Sequence, residues 1–133
     1  MTKQDDSDQK PVVDFIEAFA RFDYGAMADL LAVDVRSYIT NRDGGVTPVH
    51  GRDAFMAAIE AVDYRSVAPQ IAITQILGVE AGRVMVMIEI KAERKGRHLH
   101  NFATFLMEVA GGLIHAMWMV EALPAYSDSF WKD

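Results

Sequence analysis

The side chains that could do chemistry are few. Four histidines stand at His50, His98, His100 and His115. His98 and His100 lie two apart, so on a strand they share a face, with Glu89 within reach on an adjoining strand. Two imidazoles and a carboxylate form a metal-ligand set if all three converge. On an exterior face the same groups serve as interface hydrogen-bond partners, so no metal site is expected. General acid–base work needs a titratable group within hydrogen-bond reach of a substrate. His50, His100, Tyr38 and Glu121 are the candidates for it. The chain has no cysteine, hence no thiolate nucleophile and no disulfide framework. It has neither a Gly-rich phosphate loop nor a Ser-centred nucleophile elbow. No cofactor is expected.

These residues have to be positioned by helices and strands. Residues 1–10 read as a disordered tail and residues 11–133 as one domain. Pro11 opens a helix to Phe22, with Val12, Phe15, Ile16 and Phe19 at helical spacing. Asp23 caps a short second helix carrying Met27. Val35 to Thr40 alternates as a first strand, and Val46 to His50 pairs back on it. A third helix runs from Arg52 with Phe55 and Ile59 on its inner face. Four strands follow: Ile71 to Val79, Val84 to Glu93, Arg97 to Val109 and Leu113 to Leu123. Lys95-Gly96 and Gly111-Gly112 suit two-residue hairpin loops.

Tight turns fix register, and register fixes faces. Pairing Arg94 with Arg97 sets Ile88 against Ala103 and Ile90 against Asn101. Pairing Ala110 with Leu113 sets Phe105 against Trp118. One face is then apolar except for Gln75, Asn101 and the Trp118 indole, and the helices should cover it. Gln75, Asn101, Phe105, Trp118, Tyr38, Phe55 and Ile59 are the expected lining of a ligand pocket there. Glu121 points away from it. An odd loop at Gly111-Gly112 would flip the last strand, turning Glu121 inward and Trp118 outward. The apolar even-numbered residues of that strand favour the two-residue loop. The other face carries Met85, Met87, Phe102, Met117 and Met119. So many apolar groups would make an exposed patch, and a two-fold homodimer through this face is the economical cover.

The chain has 133 residues, half of them hydrophobic, and a net charge of −6. The negative charge argues against nucleic-acid binding. No apolar run approaches the ~20 residues of a membrane helix, and the polar, acidic start is not a secretory signal. A cytoplasmic protein without membrane or nucleic-acid partners is expected.

Three segments together resemble the nuclear transport factor 2-like superfamily, in its SnoaL-like and ketosteroid-isomerase-like branch. They are FARFDYGAMADLLAVDV (Phe19 to Val35), HGRDAFMAAI (His50 to Ile59), and GGLIHAMWM with PAYSDSFW (Gly111 to Met119, Pro124 to Trp131). The resemblance implies an α+β fold: a conical, curved, mixed sheet with three helices of the first half packed on its concave face. It implies binding of a small apolar organic molecule, with cofactor-independent isomerase, cyclase or dehydratase chemistry. The alternative is a non-catalytic ligand- or partner-binding dimeric domain. The base of steroid isomerases would fall near Tyr38 or Ile39 and their protonated acid near Thr104, and neither position holds a carboxylate. A cyclase-type acid at the end of the last strand would be Glu121.

Overall fold

Gly-containing two-residue loops organise the second half of the chain. Lys95 and Gly96 have φ of 52° and 75°, and Gly111 and Gly112 have 59° and 78°. Two positive φ values in succession match the right-handed twist of paired strands. A computed structural model describes residues 6–132 and contains six strands and five α-helices. In chain order these are α1 (Gln9–Ala20), α2 (Tyr24–Asp29), β1 (Leu31–Thr40), β2 (Val46–His50), α3 (Arg52–Glu60) and α4 (Tyr64–Val67). Then come β3 (Gln70–Glu80), β4 (Arg83–Arg94), β5 (Arg97–Ala110), β6 (Leu113–Glu121) and α5 (Pro124–Trp131). Of the expected tail, residues 1–5 lie outside the described residues. Asp6–Asp8 form a 3-10 turn and α1 begins at Gln9.

The sheet is one curved layer in the order β2-β1-β6-β5-β4-β3. Only β1 and β6 run parallel. The fold is thus α+β with a mixed sheet, as the sequence implies. Val12, Phe15 and Ile16 of α1 meet Val84, Val86 and Ile88 of β4 and Met107 of β5 in one core, all nearly inaccessible. Asp23 caps α2 by accepting from the Ala26 N–H at 3.1 Å. Val46–His50 pairs antiparallel with β1 as expected.

Two bulges correct the assignment of faces. The loop at Gly111-Gly112 has two residues and Ala110 pairs with Leu113. But Val109 pairs with Ile114 and Glu108 with Ala116, so His115 is an extra residue on β6. One extra residue reverses every side chain beyond it. Phe105 therefore lies opposite Met119 and Leu106 opposite Trp118. Met117, Met119 and Glu121 turn to the helix side, and Trp118 and Val120 turn away. Met117, expected on the outer face, is fully buried. In β3, Ile73 pairs with Ile88 but Gln75 with Met87, leaving Thr74 as the extra residue. The Thr74 hydroxyl donates to the Met87 carbonyl at 3.2 Å. Gln75 therefore faces outward and is exposed, and Ile76 replaces it on the inner face.

The C-terminal aromatic residues form α5. Pro124 occupies its first turn, where a missing N–H costs nothing. Arg97 donates to the Ser129 and Lys132 carbonyls at 2.8 and 3.0 Å, satisfying the end of the helix. The Tyr126 hydroxyl donates to the His98 carbonyl and accepts from the His100 N–H. These contacts hold α5 across the open end of β5.

Candidate functional site

Between the helices and the concave face lies a cavity of about 210 Å³. Phe15 and Phe19 of α1 and Met27 of α2 form one wall; Phe55 and Ile59 of α3 form the next. Ile39, Val49, Phe105 and Met119 supply the sheet side. Two polar side chains enter this lining: Glu121 at the end of β6, and Tyr64 at the start of α4. The space equals about seven waters of liquid, below the ~300 Å³ at which drug-sized pockets begin. It suits a small, mostly apolar molecule.

Glu121 is the chemically distinctive group. Burial raises its carboxyl pKa above the ordinary 4.5, and the neighbouring Asp128 adds to the rise. Hydrogen bonds from the Ser127 and Asn101 side chains work in the opposite direction. Asn101 Nδ2 donates to Glu121 Oε2 at 3.1 Å. The same amide accepts from the Leu123 N–H at 3.1 Å. It is completely buried, so it ties β5 to the β6–α5 junction and aims the carboxylate. Ser127 is also buried and sits on α5. Asp128 in turn meets Arg42 at 3.3 Å and Lys132 at 3.1 Å. A carboxyl at the wall of an apolar cavity, with its proton affinity raised by burial, can serve as a general base when ionised and as a general acid when protonated.

Several expected pocket residues lie elsewhere. Phe55, Ile59 and Phe105 line the cavity. Asn101 is behind it, on the carboxylate. Tyr38 and Trp118 are neighbours across β1 and β6 on the outer face, stacked at 5.4 Å and 15°. Alternation along β1 sends Val35, Ser37 and Ile39 inward instead, and the His115 bulge carries Trp118 out. His50 is exposed at the end of β2 and absent from the cavity lining. His100 Nε2 lies 2.7 Å from Glu89 Oε2, on the outer face. That hydrogen bond holds the Glu89 carboxyl below its usual range. His98 lies 3.6 Å from Glu93 instead, so the two histidines take different carboxylates. Among the described residues no group of three metal-ligating side chains converges.

Tyr64 and Ser127 escaped the sequence reading. For Ser127 the signal was available: Pro124 as helix starter with Tyr126 and Phe130 four apart marks a helix. For Tyr64 it was the break after α3. Ser66 donates to the Asp63 carboxylate there, a local Asp-x-x-Ser turn that starts a new helical turn.

The model of the SnoaL-like domain matches residues 12–117. The chain belongs to that family. An uncharacterized protein of Mycobacterium tuberculosis is 27% identical to this SnoaL-like chain over 128 residues, 96% of this chain and 98% of that protein. Bal32a, from a soil-derived mobile gene cassette, superposes with a TM-score of 0.82 at 19% identity, covering 96% of this chain and 98% of its own. An NTF2-like protein of unknown function from Burkholderia pseudomallei gives 0.78 at 19% identity, with 96% and 98% covered. These likenesses establish the NTF2-like fold of the SnoaL-like chain. Proteins named for polyketide cyclisation and for ketosteroid isomerisation share it. Among the described residues no helix is long and apolar enough to cross a membrane.

Proposed function

We propose that this SnoaL-like protein binds a small, largely apolar organic molecule and performs acid–base chemistry on it without a cofactor. The observation that carries the reading is Glu121: a carboxyl of raised proton affinity, held by Asn101 and Ser127 at the wall of an apolar cavity. Isomerisation, cyclisation and dehydration each take a proton from one atom and deliver one to another, and a single poised carboxyl can take the first as a base and return it as an acid. The other candidates, His50, His100 and Tyr38, do not line this cavity.

The test uses a carbon acid small enough for the space, 5-nitrobenzisoxazole. A carboxylate base removes its ring C–H proton, the N–O bond breaks, and a coloured nitrophenolate is released. Wild type should accelerate ring opening with a rate that rises with pH through the Glu121 midpoint. Glu121→Gln should lose the acceleration, whereas Glu89→Gln on the outer face should keep it. Equal rates for wild type and Glu121→Gln would overturn the assignment. If acetophenone still bound in that event, the non-catalytic binding domain would be the correct reading.

The proposal includes a two-fold homodimer through the outer sheet face, with altered membership. Met85, Met87 and Phe102 lie on that face, while Met117 and Met119 are replaced by Trp118 and Val120. Leu77, Met87, Phe102 and Val120 are 43%, 40%, 45% and 61% exposed. Apolar groups so grouped favour a covered surface. Phe102→Glu should give a monomer by light scattering with an unchanged circular dichroism spectrum. A wild-type monomer at micromolar concentration would contradict the dimer.

A further inference from the structure

Glu121 does not stand alone in the cavity. Tyr64 lines the same space, and its ring is gripped from two sides. It packs edge-on against Phe19 at 5.1 Å and 88°, and against Trp131 of α5 at 4.9 Å and 70°. Two crossed aromatic contacts leave the ring one orientation, so the phenol oxygen has a fixed place. Among the described residues nothing hydrogen-bonds to that oxygen. Nor is it sealed in: among the described residues the closed-off side-chain oxygens without a hydrogen bond are Ser37 Oγ and Asp128 Oδ2. The Tyr64 hydroxyl therefore meets open space. Burial, and after it the charge of Glu121, push this phenol above its usual pKa. It keeps its proton, and no hydrogen bond spends that proton on Glu121.

We infer that Tyr64 is the specificity-determining group of the cavity, donating its O–H to a carbonyl or hydroxyl oxygen on an otherwise apolar ligand. The inference rests on the binding reading above and adds the ligand's polar handle. A hydrocarbon of the same shape would fill the cavity but leave the phenol unpaired. A ligand with one acceptor oxygen would pair it and lie with that oxygen beside Glu121. Neutral hydrogen bonds of this kind are worth about three- to tenfold in affinity.

The pair acetophenone and ethylbenzene tests this, since they differ by one carbonyl oxygen. Titrations followed by NMR should give wild type a three- to tenfold preference for acetophenone beyond the partition ratio of the two compounds. Tyr64→Phe keeps the ring and both aromatic contacts, and in it the extra preference should vanish while ethylbenzene binds as before. In unmodified protein the Tyr64 Cζ resonance should shift with acetophenone and stay with ethylbenzene. That measurement stands even if Tyr64→Phe melts early. An extra preference that survives in Tyr64→Phe, or a Cζ resonance that responds equally to both compounds, overturns the role of Tyr64 and leaves the cavity reading intact. Failure of both compounds to bind wild type overturns the cavity reading itself.

Discussion

Replacing Asn101 by leucine isolates the contribution of one buried amide. The side chain has no exposure, and leucine matches it closely in volume. Three contacts are lost: the Leu123 N–H to Oδ1 at 3.1 Å, Nδ2 to Glu121 Oε2 at 3.1 Å, and Nδ2 to the Leu123 carbonyl at 3.5 Å. The last is too long to count for much. A neutral bond contributes about 1 kcal/mol and one to a charged group about 1.5–3 kcal/mol. The Leu123 N–H is also left without its acceptor. The expected loss is about 2–4 kcal/mol. At about 3–5 °C per kcal/mol for a chain of this length, the melting temperature should fall by roughly 10 °C. The loss should grow from pH 4 to pH 8, because the bond to Glu121 matters most when the carboxyl is ionised. Urea unfolding and thermal circular dichroism at both pH values are the assays. A fall of less than about 1 kcal/mol, flat with pH, would refute the claim that Asn101 is a structural amide holding Glu121.

Three further outcomes follow from the same contacts. The folded-state pKa of Glu121 is raised, so its contribution to stability is fully present below the unfolded value and is lost as pH rises through the folded one. The stability of Glu121→Gln relative to wild type should therefore climb with pH above about 4.5, read from paired urea curves; a flat difference would contradict the raised pKa. Gly82 has φ of +78°, and an added Cβ would lie 3.2 Å from the Val109 carbonyl oxygen. Gly82→Ala should cost about 1–2 kcal/mol by urea unfolding. Arg97→Ala removes the two hydrogen bonds to the end of α5, so amide exchange should quicken in α5 while the strands keep their protection.

The sequence revealed the order of elements and the hairpin loops, because those depend on local residue types. Lys95-Gly96 and Gly111-Gly112 announce their turns through the positive φ they must supply. Asn101 was placed inside correctly, since the Arg94–Arg97 register runs unbroken through β4 and β5. Its partner was misplaced. The bulges at Thr74 and His115 fall on ordinary residues with no glycine to mark them, and both faces of the β6 segment are apolar enough to bury. Alternation alone could not choose between Trp118 and Glu121. The parallel pairing with β1, which sets Ser37 beside Met117 and Ile39 beside Met119, makes that choice. It is a contact between distant segments and leaves no local trace. The cavity was legible as an apolar face and Glu121 as a candidate acid, but its turn into the cavity and the presence of Tyr64 there were not.

The most direct measurement is the titration of Glu121 itself, followed through its side-chain carboxyl carbon by NMR from pH 3 to pH 9 and assigned by its disappearance in Glu121→Gln. The account predicts a midpoint above the ordinary glutamate value that moves when acetophenone fills the cavity. A midpoint at or below that value, indifferent to acetophenone, would contradict it.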